Sequence, residues 1–235
     1  MKNLFLFTIT CSLLFVNMLS ASTTLNLPCN KYSVSVHDID PFGEDYISYS
    51  SLTNRVQASA YLFMGGNHFA TRGFMEFNLA PWYALGLPVS DITKAEFSIN
   101  CPELLWKSYT VEMEVYAMTE MEDGVITGSA ENQFLCGVDL IQGNITEANF
   151  IPNLYIQMTG AELSKITDDI AAAQQWTGIT IRKENEYQSA FYESGAEFDA
   201  SSATLTLTYE ASIPEPSVIW LFALGFGIIF KKYFH

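Results

Sequence analysis

The chain has 235 residues, 49% hydrophobic and 16% charged, with 14 Gly and 8 Pro, which excludes a collagen-like or wholly disordered polymer and leaves room for one sizeable core. With 11 Lys+Arg against 26 Asp+Glu the net charge is -15, so its field repels phosphate backbones and no nucleic-acid partner is expected. In chain order, Lys2 precedes an apolar stretch from Leu4 to Leu19 that ends in the small residues Ser20, Ala21 and Ser22. This reads as a secretory signal peptide over residues 1–21, because Thr8, Thr10, Ser12 and Asn17 interrupt the run and no cationic stop follows it.

Beyond it, alternation of apolar and polar residues with a period of two dominates, the pattern of strands half buried in antiparallel sheets. The predicted strands are KYSVSVH (31–37), VQASAYLFM (56–64), RGFMEFNL (72–79), TKAEFSIN (93–100), YTVEMEVYAM (109–118), FLCGVDL (134–140), LYIQMT (154–159), GITIRK (178–183), SAFYES (189–194) and ATLTLTY (203–209). Ten short strands separated by turn residues predict an all-β fold, an antiparallel two-sheet β-sandwich, in one domain spanning 22–210. The one good helix candidate is SKITDDIAAAQQW, with Thr167 as its cap, Asp168 and Asp169 near its positive end, and Ile166, Ile170, Ala173 and Trp176 at helical spacing.

Chemistry-bearing residues are sparse. After the first strand, HDIDPFGED sets Asp38, Asp40, Glu44 and Asp45 around Pro41 and Gly43, so a turn there can gather the hard oxygen ligands that a structural calcium requires. The spacing matches no EF-hand, and a solvated acidic hairpin loop is the plainer reading. Arg72 and Arg182 lie at the edges of apolar strands and are expected to pair with buried carboxylates, whereas Glu112/Glu114 and Glu184/Glu186 read as solvated positions. Trp82 and Tyr83 follow Pro81 in a predicted loop and are the best candidates for a platform on which sugar rings stack, although such aromatics more often fill a core. Three cysteines follow the signal segment, Cys29, Cys101 and Cys136, which allows one disulfide in an oxidising compartment and leaves an odd thiol. Of the three pairings Cys101 with Cys136 is preferred, since both sit in or at the ends of predicted strands. No nucleophile motif, metal-binding His/Cys cluster, P-loop or dinucleotide fingerprint occurs, so no enzymatic activity and no cofactor beyond that calcium is expected.

Several of these pieces, taken in order, resemble the DNRLRE-type jelly-roll domains of secreted proteins, relatives of carbohydrate-binding modules. The resemblance rests on Arg72, Phe77, Asn78 and Leu79, on Ile170 and Trp176, on Gly178, Ile179, Ile181 and Arg182, and on Tyr192, Ser194, Leu205 and Leu207, with Asn78 where the family usually has Asp. It spans roughly residues 55–209 and implies a jelly-roll sandwich with one short helix, and a polysaccharide as the kind of ligand such modules take.

The last segment, 211–235, carries Ile213-Pro-Glu-Pro-Ser217, the apolar run Val218 to Phe230, and then Lys231 and Lys232. Thirteen helical residues reach only about 20 Å, against about 30 Å of hydrocarbon core. The prolines push Ile213 and Glu215 toward extended backbone, which keeps Pro214, Glu215 and Pro216 accessible to an enzyme at the membrane surface. The lysine pair holds the far end on the cytoplasmic side. Recognition element, short apolar helix and basic stop together resemble the PEP-CTERM sorting signal of Gram-negative bacteria, with Lys-Lys where that family usually has several arginines. The resemblance implies transient insertion in the inner membrane, cleavage by an exosortase-type membrane protease, and delivery to the cell surface or extracellular matrix. Removing residues 1–21 and the tail after Pro216 takes away Lys2, Lys231 and Lys232 and no acidic residue, so the remaining chain is still more acidic than the whole.

Overall fold

A computed structural model describes residues 21–39, 46–50, 54–62, 68–105, 111–118, 137–184, 186 and 194–211. The chain divides into two compact units, Thr24–Thr208 and a terminal unit of Met1–Thr23 with Tyr209–His235. Of the terminal unit only 21–23 and 209–211 are described. Its strands are β1 (Ala21–Ile39), β2 (Tyr46–Ser50), β3 (Arg55–Leu62), β4 (His68–Asn78), β5 (Ile92–Leu105), β6 (Glu112–Met118), β7 (Gly137–Thr146), β8 (Asn153–Met158), β9 (Trp176–Lys183) and β10 (Ser194–Ala211). Between them lie the one-turn helices α1 (Ala80–Tyr83) and α2 (Glu147–Phe150), and the longer α3 (Gly160–Ala171). The fold is therefore all-β with little helix.

The strands join in the order β2-β1-β10-β3-β4-β9-β6-β7, with β5 on β10, β8 on β5 and a further pairing of β1 with β4. The registers β1–β4, β3–β4, β4–β9, β6–β9, β6–β7 and β5–β8 are all antiparallel. β4 is the hub. It pairs with β1 over 68–77, while its other edge is shared by β3 at 68–71 and β9 at 72–78.

Two kinds of strand follow from two kinds of sequence. β8 alternates strictly, with Leu154, Ile156 and Met158 buried and Asn153, Tyr155 and Gln157 exposed, and its inward row meets Ile99, Phe97 and Ala95 of β5. This pair has one apolar and one wet face, as period-two patterning demands. β4 is instead buried without a break from Ala70 to Phe77, on both faces. Phe77, on one of those faces, meets Phe97 edge-on at 6.2 Å between ring centroids, so β4 and β5 share a core. Packing there is tight enough that a Cβ on Gly73 would stand 2.8 Å from the Cβ of Val56.

The predicted strands all meet observed ones where residues are described, but bounds differ: β1 begins ten residues earlier, at Ala21, and β5 and β7 run on to Leu105 and Thr146. SAFYES and ATLTLTY do not form two separate strands, because Ser194–Ala211 is one strand; residues 189–193 lie outside the described set. β2 is an addition, and the RGFMEFNL strand starts four residues earlier, at His68. The helix also shifts. It begins at Gly160, whose φ of 54° is open to glycine but costly for other residues, and Thr167 lies inside it, donating to the carbonyls of Leu163 and Ser164. Trp176 belongs to β9, not to the helix. Leu163, Ile166 and Ile170 form its buried stripe, packed on β5, β8 and β9.

α3 ends in a Schellman arrangement: Ala173 N–H donates to the Ile170 carbonyl at 3.1 Å and Gln174 N–H to the Asp169 carbonyl at 2.9 Å. The left-handed position is taken by Ala173, at φ 56°, where helices ordinarily place glycine. A Cβ in that conformation costs about 1–2 kcal/mol. Ala173→Gly is therefore expected to raise unfolding free energy by about 1 kcal/mol in denaturant melts, after the added chain entropy of glycine is subtracted; a loss of stability would show that Ala173 is held there by packing instead.

Candidate functional site

The most concentrated polar chemistry lies on the second buried face of β4, β9 and β6. Register sets Arg72 of β4 directly opposite Arg182 of β9, and Arg182 opposite Glu114 of β6. Two guanidinium groups side by side repel, and each has its own carboxylate. Arg72 Nε donates to Glu186 Oε1 at 2.9 Å and to Oε2 at 3.2 Å, and its terminal nitrogen reaches Oε2 at 2.6 Å. The two side chains are only 8% and 4% exposed, so this is a buried fork, two-pronged as guanidinium geometry favours. Arg182 Nε donates to Glu114 Oε2 at 2.9 Å, and the Tyr116 hydroxyl donates to the same oxygen at 2.8 Å. Arg182 also donates to the Tyr116 hydroxyl, and its Cζ stands 3.8 Å from the centre of the tyrosine ring.

Burial and the bond to Glu114 push the Tyr116 hydroxyl up to about 12, with Arg182 pulling the other way. Tyr116 is thus a neutral donor near neutrality. Burial also lowers the Lys183 ammonium from its ordinary range, against the attraction of Glu186, Glu112 and Glu184; its Nζ donates to the Glu184 carbonyl at 3.1 Å. The expectation that Arg72 and Arg182 pair with carboxylates holds. The reading of Glu114 and Glu186 as solvated does not: Glu186 is buried and Glu114 is half-buried, each engaged by an arginine.

A second polar node sits where α3 returns to β9. Thr177 donates to Asp169 Oδ2 at 2.5 Å, and the Tyr83 hydroxyl donates to the Gln174 carbonyl at 2.5 Å. Burial raises the Asp169 carboxyl to about 6, partly offset by the Thr177 bond and reinforced by Asp168. Burial, then the charge on Asp169, raises Tyr83 from its ordinary range as well.

The sugar platform needs correction. Trp82 is 1% exposed, because Pro81 lies in the helical turn α1 rather than in a loop, and that turn carries the indole into the core. Tyr83 is 39% exposed, but its hydroxyl is occupied. Asp38 lies in β1 opposite Tyr46 and Phe69, while Asp40, Glu44 and Asp45 lie outside the described residues. Among the described residues no three His, Cys, Asp or Glu side chains gather as a metal site would require. Cys101 is a buried free thiol that donates to the Glu103 carbonyl, and Cys136 lies outside the described residues. Burial raises Cys29 to about 12 and Cys101 to about 11, so neither is a thiolate near neutrality. Pro214, Glu215, Pro216 and the run to Lys232 also fall outside the described set, within which no helix is long and apolar enough to cross a membrane. Neither a protein-family model nor a curated protein matches this chain.

Two outcomes follow. Glu186→Gln leaves the buried Arg72 without its countercharge and should cost about 3–5 kcal/mol in unfolding free energy. Arg72→Met combined with Glu186→Leu should recover most of that loss. A cost below about 0.5 kcal/mol, the level of exposed pairs, would show that Glu186 is not buried against Arg72.

For Asp169 the folded-state value lies above the ordinary 3.8, so its stabilising contribution is complete below about pH 3.8 and lost as pH rises through about 6. After allowance for partial solvent screening this amounts to about 1–2 kcal/mol. Asp169→Asn should therefore raise stability at pH 7 by that amount and flatten the change between about pH 4 and pH 6; an unchanged pH profile would contradict the burial of this carboxyl.

Proposed function

We propose that this chain is an exported, non-enzymatic protein of the cell surface or extracellular matrix of a Gram-negative bacterium, sorted by an exosortase-type membrane protease. The observation that carries this reading is the order of parts in 211–235: Pro214-Glu215-Pro216, then an apolar run from Val218 to Phe230 that is short for a permanent span, then Lys231 and Lys232. The apolar segment before Ser20 supplies export. Between them stands a jelly-roll-like sandwich, a reading supported by the meeting of Phe77 with Phe97 and by the single wet face of β5 and β8.

In this reading the domain is a scaffold. On the β4–β9–β6 face Arg72 with Glu186 and Arg182 with Glu114 form a buried and a half-buried pair, which serve to hold strands. The acidic surface keeps the mature protein soluble among anionic polymers and lets it attract divalent cations without a dedicated site. A carbohydrate-binding module is the alternative, and the burial of Trp82 removes the larger half of the platform it relied on.

The test is the mass of the mature product made in a host that has an exosortase. Expected are an N-terminus near Ser22 or Thr23 and a C-terminus near Pro216, with product in the medium or on the surface. Intact chain retained in the inner membrane of that host would refute the sorting reading. Selective binding on a glycan array, lost on Tyr83→Ala, would favour the module instead.

A further inference from the structure

Among the described strands β2, β7 and β8 each pair with a single neighbour, and the edge of β7 is blunted. β2 keeps unbroken register with β1 but is a residue shorter than β8. β7 shifts register against β6 at three places, carries Asn144 at φ 53°, and bears Asp139 in an ion pair with Lys165. Bulges, irregular backbone and charge are the devices by which sheet edges avoid pairing with other chains. β8 has none of them. Its six residues, Asn-Leu-Tyr-Ile-Gln-Met, contain no charge, proline or glycine and keep unbroken register with β5.

We propose that β8 is the seat of a two-fold pairing between two copies of this chain, edge to edge and antiparallel, centred on Tyr155. The inference stands on the sheet edge alone and is independent of the export reading. A second copy is the fitting occupant because the strand is complementary to itself. With Tyr155 opposite its own counterpart, Asn153 falls opposite Gln157 and Leu154 opposite Ile156, so amide meets amide, ring meets ring and apolar meets apolar on matched faces. A slip of one residue would set the buried row against the exposed one. The exposed row is available, with Tyr155 at 51%. Charge selects the same place: two copies at net -15 repel over most approaches, whereas this edge is uncharged and the nearby Lys94 and Glu96 neutralise each other at 2.9 Å. Such a contact closes on itself as an isologous dimer and leaves the other strands free.

Sedimentation of the full chain in mild detergent tests this. The wild type should dimerise, and Asn153→Lys with Gln157→Lys should weaken the dimer at least about tenfold by setting like charges opposite across the axis, as should Asn153→Glu with Gln157→Glu. An equimolar mixture of the two variants should recover it. Hydrogen exchange on the wild type provides a readout free of substitutions, with protection of β8 amides rising as dimer forms. A monomeric wild type, a dimer indifferent to all four substitutions, or β8 amides equally protected in the monomer would each overturn the proposal, the second by placing the contact elsewhere, as through the hydrophobic ends, and the third by showing the edge already covered.

Discussion

The structure depends on β4 being buried on both faces. A strand with one wet face can carry a charge at no cost, but β4 carries Arg72 at a place almost closed to solvent. Withdrawing an ion from water costs several kcal/mol, recovered only by a partner of good geometry. That requirement explains why Glu186, which follows β9, turns inward, and why the fork of Arg72 is met on both prongs. It also explains the neighbouring triad. Arg182 stands beside Arg72 across the β4–β9 ladder, and Glu114 with Tyr116 supplies the charge and the ring that make its position tolerable.

The chemistry of the cluster follows from its satisfaction. Its tyrosine is a neutral donor near neutrality, and its carboxylates accept from arginine and tyrosine. The side chains of consecutive strands are thus tied together from within, while the opposite face of β4 packs through Phe77 onto β5. In the proposed scaffold role this pairing fixes the register of β4, β9 and β6, since a one-residue slip would carry every charge to the apolar side. The wet face of β5 and β8 is left for contacts with other molecules.

Much of the fold was legible because period-two alternation reports a half-buried strand directly, as in LYIQMT and TKAEFSIN, whose buried rows are the apolar ones. The same rule misread Glu114. It lies in phase with Glu112 and Tyr116, so alternation assigns all three to water, and one strand read alone does not reveal that its polar row is covered. A clue was present in RGFMEFNL, where Arg72 and Glu76 stand among Phe74, Met75 and Phe77. Trp82 departs from expectation for a different reason: proline marks loops in a sequence but is equally at home in the first turn of a helix, where Pro81 lies. The helix start was misplaced because Thr167 looks like a cap in isolation, while Thr159-Gly160, the true entry, lacked a capping side-chain bond that sequence rules would recognise.

If the doubly buried strand organises the domain, its backbone should open last. Native-state hydrogen exchange measures this directly. The amides of Arg72 to Phe77 should exchange only through global unfolding and share the highest protection in the protein, while those of β8, at a sheet edge, should exchange through smaller openings when the chain is monomeric. Amides of β4 that exchange as readily as those of β8 would contradict the account.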